Sequence, residues 1–178
     1  MNCGGQQGWV VQVVPGQDES LGHYLGRFRR ANCLSHRTMG AELLVSPQMV
    51  SDWERPSRRQ LPDPEQLERL SQRVGLSPTQ LRQMFPPASM YLQTRLCPDC
   101  YAEVPVHRLT WQQQGLEQCN RHQLPLLSAC PICQTGFRTP ALWSDSCCEQ
   151  CKLPFSQMRS HLAVSDVRSQ TKSSSQIQ

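Results

Sequence analysis

Apolar residues recur along the first half of this chain at helical spacing. Leu21, Tyr24, Leu25 and Phe28 fall at i, i+3, i+4 and i+7, one buried stripe, with Arg27, Arg29 and Arg30 mostly off it. The stripe predicts a helical region from Asp18, with Asp18 as its cap. A second predicted helix starts near Ser35 and carries Leu43 and Leu44. One device then repeats at Ser46-Pro47, Asp63-Pro64 and Ser77-Pro78: a side-chain oxygen caps free backbone N–H groups, and a proline follows where its missing N–H does no harm. These predicted helices bury Met49, Val50 and Trp53, then Leu67, Leu70 and Val74, then Leu81, Met84 and Phe85. Pro86-Pro87 closes the helical region.

The segments 35–44 and 46–55, joined by about two residues, have the proportions of a helix-turn-helix. In a DNA-reading role, Gln48, Ser51, Asp52 and Arg55 would face the major groove. Asp52 and Glu54 oppose phosphate approach, so a scaffold or protein-contact surface is the competing reading. Arg55, Arg58 and Arg59 flank a proline-restricted loop and suit a phosphate backbone; the alternative is a solvated corner. Residues 1–17 read as an N-terminal arm with a strand-like piece at 9–14, residues 18–87 as the helical domain, and 88–94 as a linker. A tandem zinc-finger region spans 95–155, and 164–178 is a Ser- and Gln-rich tail expected to be disordered.

Cysteine changes this picture most. Four pairs, Cys97/Cys100, Cys119/His122, Cys130/Cys133 and Cys148/Cys151, each enclose two residues, the spacing at which two side chains on a tight turn converge on one ion. Eight ligands make two tetrahedral structural zinc sites, expected in order: Cys97, Cys100, Cys119 and His122 in one, Cys130, Cys133, Cys148 and Cys151 in the other. Cys3 and Cys33 read as free thiols, and Cys147 as a neighbour of the true ligand that could replace Cys148. A disulfide framework would need an oxidising compartment. Residues 1–8 carry no Lys or Arg, and the apolar piece at 9–14 is too short to span or be exported, so a cytoplasmic, nucleoid-associated protein is expected. A RING-like cross-brace is disfavoured by the seven residues between His122 and Cys130. A small DNA-binding regulator with a sensing metal would need an exchangeable site. His107, Trp111 and Trp143 are expected to fill the small metal-stapled core.

With 178 residues and 38% hydrophobic content, the chain suits two small modules better than one large core. Its formal charge of +4 counts cysteines as neutral. A four-thiolate zinc site adds −2 and a three-thiolate site −1, leaving about +1, too little to drive tight nonspecific nucleic-acid binding. Of the 18 basic residues only Lys152 and Lys172 are lysines. Arginine forks suit bidentate contact with phosphate or carboxylate. Asp18, Ser20 and His23 lie close in sequence but read as a cap and a helix face, not a triad, and no catalytic constellation is expected.

Four stretches, ESLGHYLGRFRRAN at 19–32, RLCPDCYAEVPVHRLTWQ at 95–112, CNRHQLPLLSACPICQ at 119–134 and ALWSDSCCEQC at 141–151, resemble the TniQ family of transposition target selectors. The nearest resemblance is to short members from type V-K CRISPR-associated transposons. It implies a mainly α N-terminal helix-turn-helix domain followed by two zinc-finger modules with the eight ligands above. It also implies a non-catalytic adaptor coupling a guide-RNA effector complex at target DNA to the AAA+ ATPase TnsC, with contact to scaffold RNA or target DNA inside the assembly. Longer relatives add a large C-terminal reader of a fixed DNA site. These 178 residues hold none, so autonomous sequence-specific reading is not expected.

Overall fold

The computed structural model describes residues 11–57 and 59–162. Cys3, residues 9 and 10 of the expected strand, Arg58 and the expected tail fall outside them. The described chain is mainly helical, and its only β pairing consists of isolated bridges. Five helices come first: α1 (Leu21–Ala31), α2 (His36–Leu43), α3 (Pro47–Trp53), α4 (Pro64–Val74) and α5 (Pro78–Gln83). A sixth, α6 (Pro98–Glu103), opens the cysteine-rich part, which otherwise runs through 3-10 turns at Leu109–Gln112, Pro140–Leu142 and Phe155–His161.

Most of the expected caps form. Ser35, Ser46, Asp63 and Ser77 each accept a hydrogen bond from the backbone N–H three residues on. Gln66 and Gln80 bond back to the backbone N–H of Asp63 and Ser77, completing two capping boxes. α2 stops at Leu44, which turns left-handed (φ 57°) and lets Val45 N–H reach Gly40 O at 2.9 Å.

Asp18 is not the cap of α1. The helix starts after Ser20, and the Ser20 hydroxyl is engaged by His107 Nδ1 at 2.8 Å instead of capping. Asp18 sits left-handed at φ 59°, two residues outside, and its carboxylate accepts from Thr110 N–H and hydroxyl at 3.2 and 2.6 Å. The expected strand is also absent over 11–14, where the chain is irregular. Val11 is tied instead to the Asn32 side chain by hydrogen bonds in both directions.

Two apolar clusters form. The first joins Tyr24, Leu25 and Phe28 of α1 to Met39, Leu43, Val50, Trp53, Leu67, Leu70, Val74 and Leu81. The second gathers Leu96, Tyr101, Trp111, Trp143, Phe155 and Met158 around the buried cysteines. α1 joins them. Backbone bonds run from Ser20 N–H to His107 O (3.0 Å) and from Leu109 N–H to Asp18 O (2.7 Å), and Arg30 donates to Ala141 O. Glycines permit this closeness. A Cβ on Gly22 would meet the backbone of Glu54 at the end of α3, and one on Gly26 would come 2.7 Å from Ala141 Cα. These two residues, one turn apart, let α1 lie backbone-to-backbone against both neighbours.

Candidate metal centres

Three of the four ligand pairs sit on the same backbone turn. At Cys119, Cys130 and Cys148 the cysteine N–H donates to the carbonyl five residues on (Leu124, Thr135, Leu153). Its own carbonyl accepts from the residue four on (Gln123, Gln134, Lys152). Those last residues are all left-handed, at φ 54°, 60° and 59°. Just outside each turn a β-bridge closes the hairpin: Gln118 with Pro125, Ala129 with Gly136, Cys147 with Pro154. This repeat fixes the register at the last pair. Cys148 occupies the ligand position, and Cys147 falls on the bridge. The first pair differs. Cys97 is the N-cap of α6, Pro98 takes the first helical position and Cys100 lies within the helix. A proline-started helix turn thus presents two sulfurs as the hairpins do.

The eight side chains gather into two quartets, Cys97/Cys100/Cys119/His122 and Cys130/Cys133/Cys148/Cys151, with the ligand atoms of each within 4.8 Å of one another. Each could hold a metal ion. The quartets follow one another along the chain and do not interleave, unlike a cross-brace. Sulfurs at 2.3 Å from the centre of a tetrahedron lie about 3.8 Å apart, and a sulfur and a nitrogen about 3.6 Å. Cys100 and Cys119 sulfurs are 3.5 Å apart, and His122 Nδ1 lies 3.3, 3.6 and 3.8 Å from the sulfurs of Cys100, Cys97 and Cys119. In the second quartet Cys130–Cys151 and Cys133–Cys148 are 3.5 and 3.4 Å apart. Both donor sets therefore fit a small tetrahedral ion.

Burial and hydrogen bonding divide the thiols in each quartet. Burial pushes Cys97 up to about 11 and raises Cys100 further, while burial takes Cys130 up to about 12 and also raises Cys148. One thiol per quartet goes the other way. Burial also acts on Cys119, but backbone N–H groups of His122 and Arg121 outweigh it and bring the thiol down to about 7. Hydrogen bonds with the Thr135 hydroxyl and backbone lower Cys133 to about 6. Each quartet thus holds one lowered thiol beside two raised ones, whose protons a cation would have to displace.

Around the quartets the aromatic side chains close ranks. Trp143 packs edge-on against Tyr101, Phe155 and His107 at centroid distances of 5.6, 4.7 and 5.3 Å. His107, Trp111 and Trp143 are all buried, as expected of core fill. Burial holds the His107 imidazole well below its ordinary pKa, with the nearby His23 adding to the effect. Sequence reasoning missed Arg95. It is buried, and its guanidinium donates to the carbonyls of Trp111, Gln113 and Leu116 at 2.7, 2.8 and 2.5 Å, fixing the loop between the first two ligand pairs. No local pattern marks it, because its partners lie 16 to 21 residues away.

The two arginine groups fare differently. Arg27 donates to Val14 O and pairs with Glu19 at 3.1 Å, and Arg30 reaches Ala141 O. Arg29 forks onto the buried Glu54, which also takes His36 Nε2 at 2.8 Å. The first cluster is therefore engaged within the chain. Past α3, Arg55 and Arg59 are exposed, and among the described residues Arg55 pairs loosely with Asp52 at 3.5 Å. Gln48 is exposed and bonded to Asp52, and Ser51 is half-buried beside them.

A family model described as TniQ matches residues 10–126, from before α1 through the first quartet. The chain belongs to the TniQ family. No curated protein matches it. The TniQ match ends four residues before Cys130, so the second quartet lies beyond it. Membership carries a transposition-associated adaptor role of a generally non-catalytic kind. Among the described residues of this TniQ chain, no helix is long and apolar enough to cross a membrane.

Proposed function

We propose that this chain is the target-selection adaptor of an RNA-guided transposon, linking a type V-K CRISPR effector and its guide RNA to the AAA+ ATPase TnsC. In this reading both quartets hold structural zinc. Three thiolates with an imidazole, or four thiolates, are soft tetrahedral donor sets that suit zinc, and complete four-ligand sets leave no open position for chemistry. Zinc would replace the protons of the raised thiols and lock the hairpin turns against α6, doing for the second core what its modest apolar content does not.

The observation that carries the adaptor reading is the placement of polar side chains around α2 and α3. These helices, joined by residues 44–46, would serve as the helix-turn-helix, and the Glu54 carboxylate that follows α3 is paired with Arg29 of α1 and His36 of α2. Just beyond it Arg55 and Arg59 stand exposed. In the adaptor, this arginine corner meets an anionic partner surface, scaffold RNA or target DNA within the complex. With a net charge near +1 after zinc loading, affinity comes from the assembled surfaces and not from bulk attraction to nucleic acid.

The test is fluorescence anisotropy of the zinc-loaded chain on a target duplex across a salt series, alone and with TnsC and guide-loaded effector. Alone, the expected dissociation constant is no tighter than roughly micromolar at physiological salt. Pull-downs should recover the chain with the partners. Tight, sequence-selective binding by the isolated chain would overturn the adaptor reading in favour of a direct DNA reader.

A further inference from the structure

We infer that Glu103 is a positioning residue for the first metal centre: its carboxylate holds His122 with Nδ1 toward the three thiols. This rests on the metal reading of that quartet and deepens it. Glu103 is the last residue of α6, the helix that begins at Cys97 and contains Cys100. His122 turns Nδ1 toward all three sulfurs and presents Nε2 to Glu103 Oε1 at 3.2 Å. The other carboxylate oxygen is held by Arg121 at 3.1 Å.

The chemistry follows from the two ring nitrogens. A neutral imidazole carries one proton and one lone pair, so a ligand at Nδ1 must keep its proton on Nε2. A carboxylate accepting from Nε2–H fixes that tautomer, fixes the ring's rotation and makes Nδ1 a stronger donor. The preceding residue, Arg121, anchors the carboxylate from its far side, so Arg121 and His122 of the hairpin grip the end of α6 through one acid. The first quartet is thereby closed by a bond between the helix bearing two of its ligands and the turn bearing the other two. The second quartet has no imidazole and cannot use such a device.

The experiment uses the full chain and reads metal affinity by competition with a chromogenic chelator, zinc and cobalt(II) being titrated in turn. Glu103→Ala should weaken one of two sites by about 10- to 100-fold and leave the other unchanged. Glu103→Gln should recover most of the loss, because its carboxamide oxygen still accepts from Nε2–H. Nitrogen NMR of His122 should show the Nε2–H tautomer in the unsubstituted chain and in Glu103→Gln. His122→Cys supplies the decisive background: with a fourth thiolate in place of the imidazole, Glu103→Ala should no longer change affinity. Unchanged affinity in Glu103→Ala, or an equal loss in the His122→Cys background, would overturn the inference and leave Glu103 as a surface ion pair. Failure of the underlying reading is distinct, since the unsubstituted chain would then bind fewer than two ions.

Discussion

Replacing Gly26 with alanine sets helix propensity against packing. In a helix interior alanine is more favourable than glycine by about 0.5–1 kcal/mol, so propensity alone predicts a more stable protein. The structure predicts the reverse. The new Cβ would lie 2.7 Å from Ala141 Cα and 2.9 Å from its carbonyl carbon, with the carbonyl oxygen nearer still. Carbon atoms pack at about 3.5–4.0 Å, so the Pro140–Leu142 turn must retreat by about 1 Å. Every obstructing atom is backbone, so no side-chain rotation relieves the clash. Retreat would also lengthen the Arg30 bond to Ala141 O, now 2.5 Å, and draw Trp143 away from His23. Overpacking of this kind costs about 1–3 kcal/mol and the weakened hydrogen bond about 1 kcal/mol more. After the helix gain, the net loss is about 1–3 kcal/mol, a fall in Tm of roughly 3–10 °C for a chain of this size. Differential scanning fluorimetry of the metal-loaded protein measures it, with circular dichroism to show that helix content survives. Gly136→Ala is the matched control, because its Cβ would meet Ser128 O only at 4.0 Å, and its Tm should stay within about 2 °C. A Tm for Gly26→Ala equal to or above that of the unsubstituted chain would refute the close seating of α1 on the cysteine-rich region.

Elemental analysis should find two metal ions per chain after Cys147→Ser and one after Cys148→Ser, because only Cys148 occupies the repeated hairpin position; the reverse result would place the ligand at its neighbour. Glu substitution of Arg55 and Arg59 together should lower guided transposition while leaving Tm nearly unchanged, since exposed charges contribute little to folding. Arg29→Ala should instead lower stability by on the order of 3 kcal/mol, because it takes the guanidinium fork from the buried Glu54 carboxylate and leaves His36 beside it; chemical denaturation separates the two. His107 gives a pH signature. Its folded pKa lies well below the ordinary 6.5, so in acid the unfolded chain takes up a proton that the folded chain refuses, and stability falls as pH drops through about 6.5. Urea midpoints at pH 7.5 and 5.8 should fall less steeply in His107→Gln than in the unsubstituted chain, and identical slopes would remove His107 from the acid sensitivity.

Features encoded within a few residues were legible in the sequence. Ser46-Pro47, Asp63-Pro64 and Ser77-Pro78 start helices wherever the fold places them, because cap, proline and first free N–H groups lie within one turn. The ligand pairs were legible for the same reason, since two residues between cysteines suffice to build a turn that presents both sulfurs. Spacing also favoured Cys148 over Cys147, and the three-fold repeat of the hairpin gives the physical cause. Spacing did not distinguish the helix turn of Cys97 and Cys100 from the hairpins, because both converge two sulfurs on one point.

Charge and polarity were legible in kind but not in destination. Arg27, Arg29 and Arg30 read alike as an arginine face, yet one meets Glu19, one Glu54 and one the carbonyl of Ala141, 111 residues away. Asp18 read as a cap until Thr110, 92 residues on, claimed its carboxylate. A capped helical half, two quartets of candidate metal ligands and the marks of the TniQ family were all legible from residue types and spacing alone. Tertiary structure alone decided which cations remain on the surface, how Glu103 meets His122, and that α1 lies against both halves through Gly22 and Gly26. Hydrogen bonds and close backbone contacts between distant segments depend on where each segment lies in three dimensions, and no local pattern of residue types records that position.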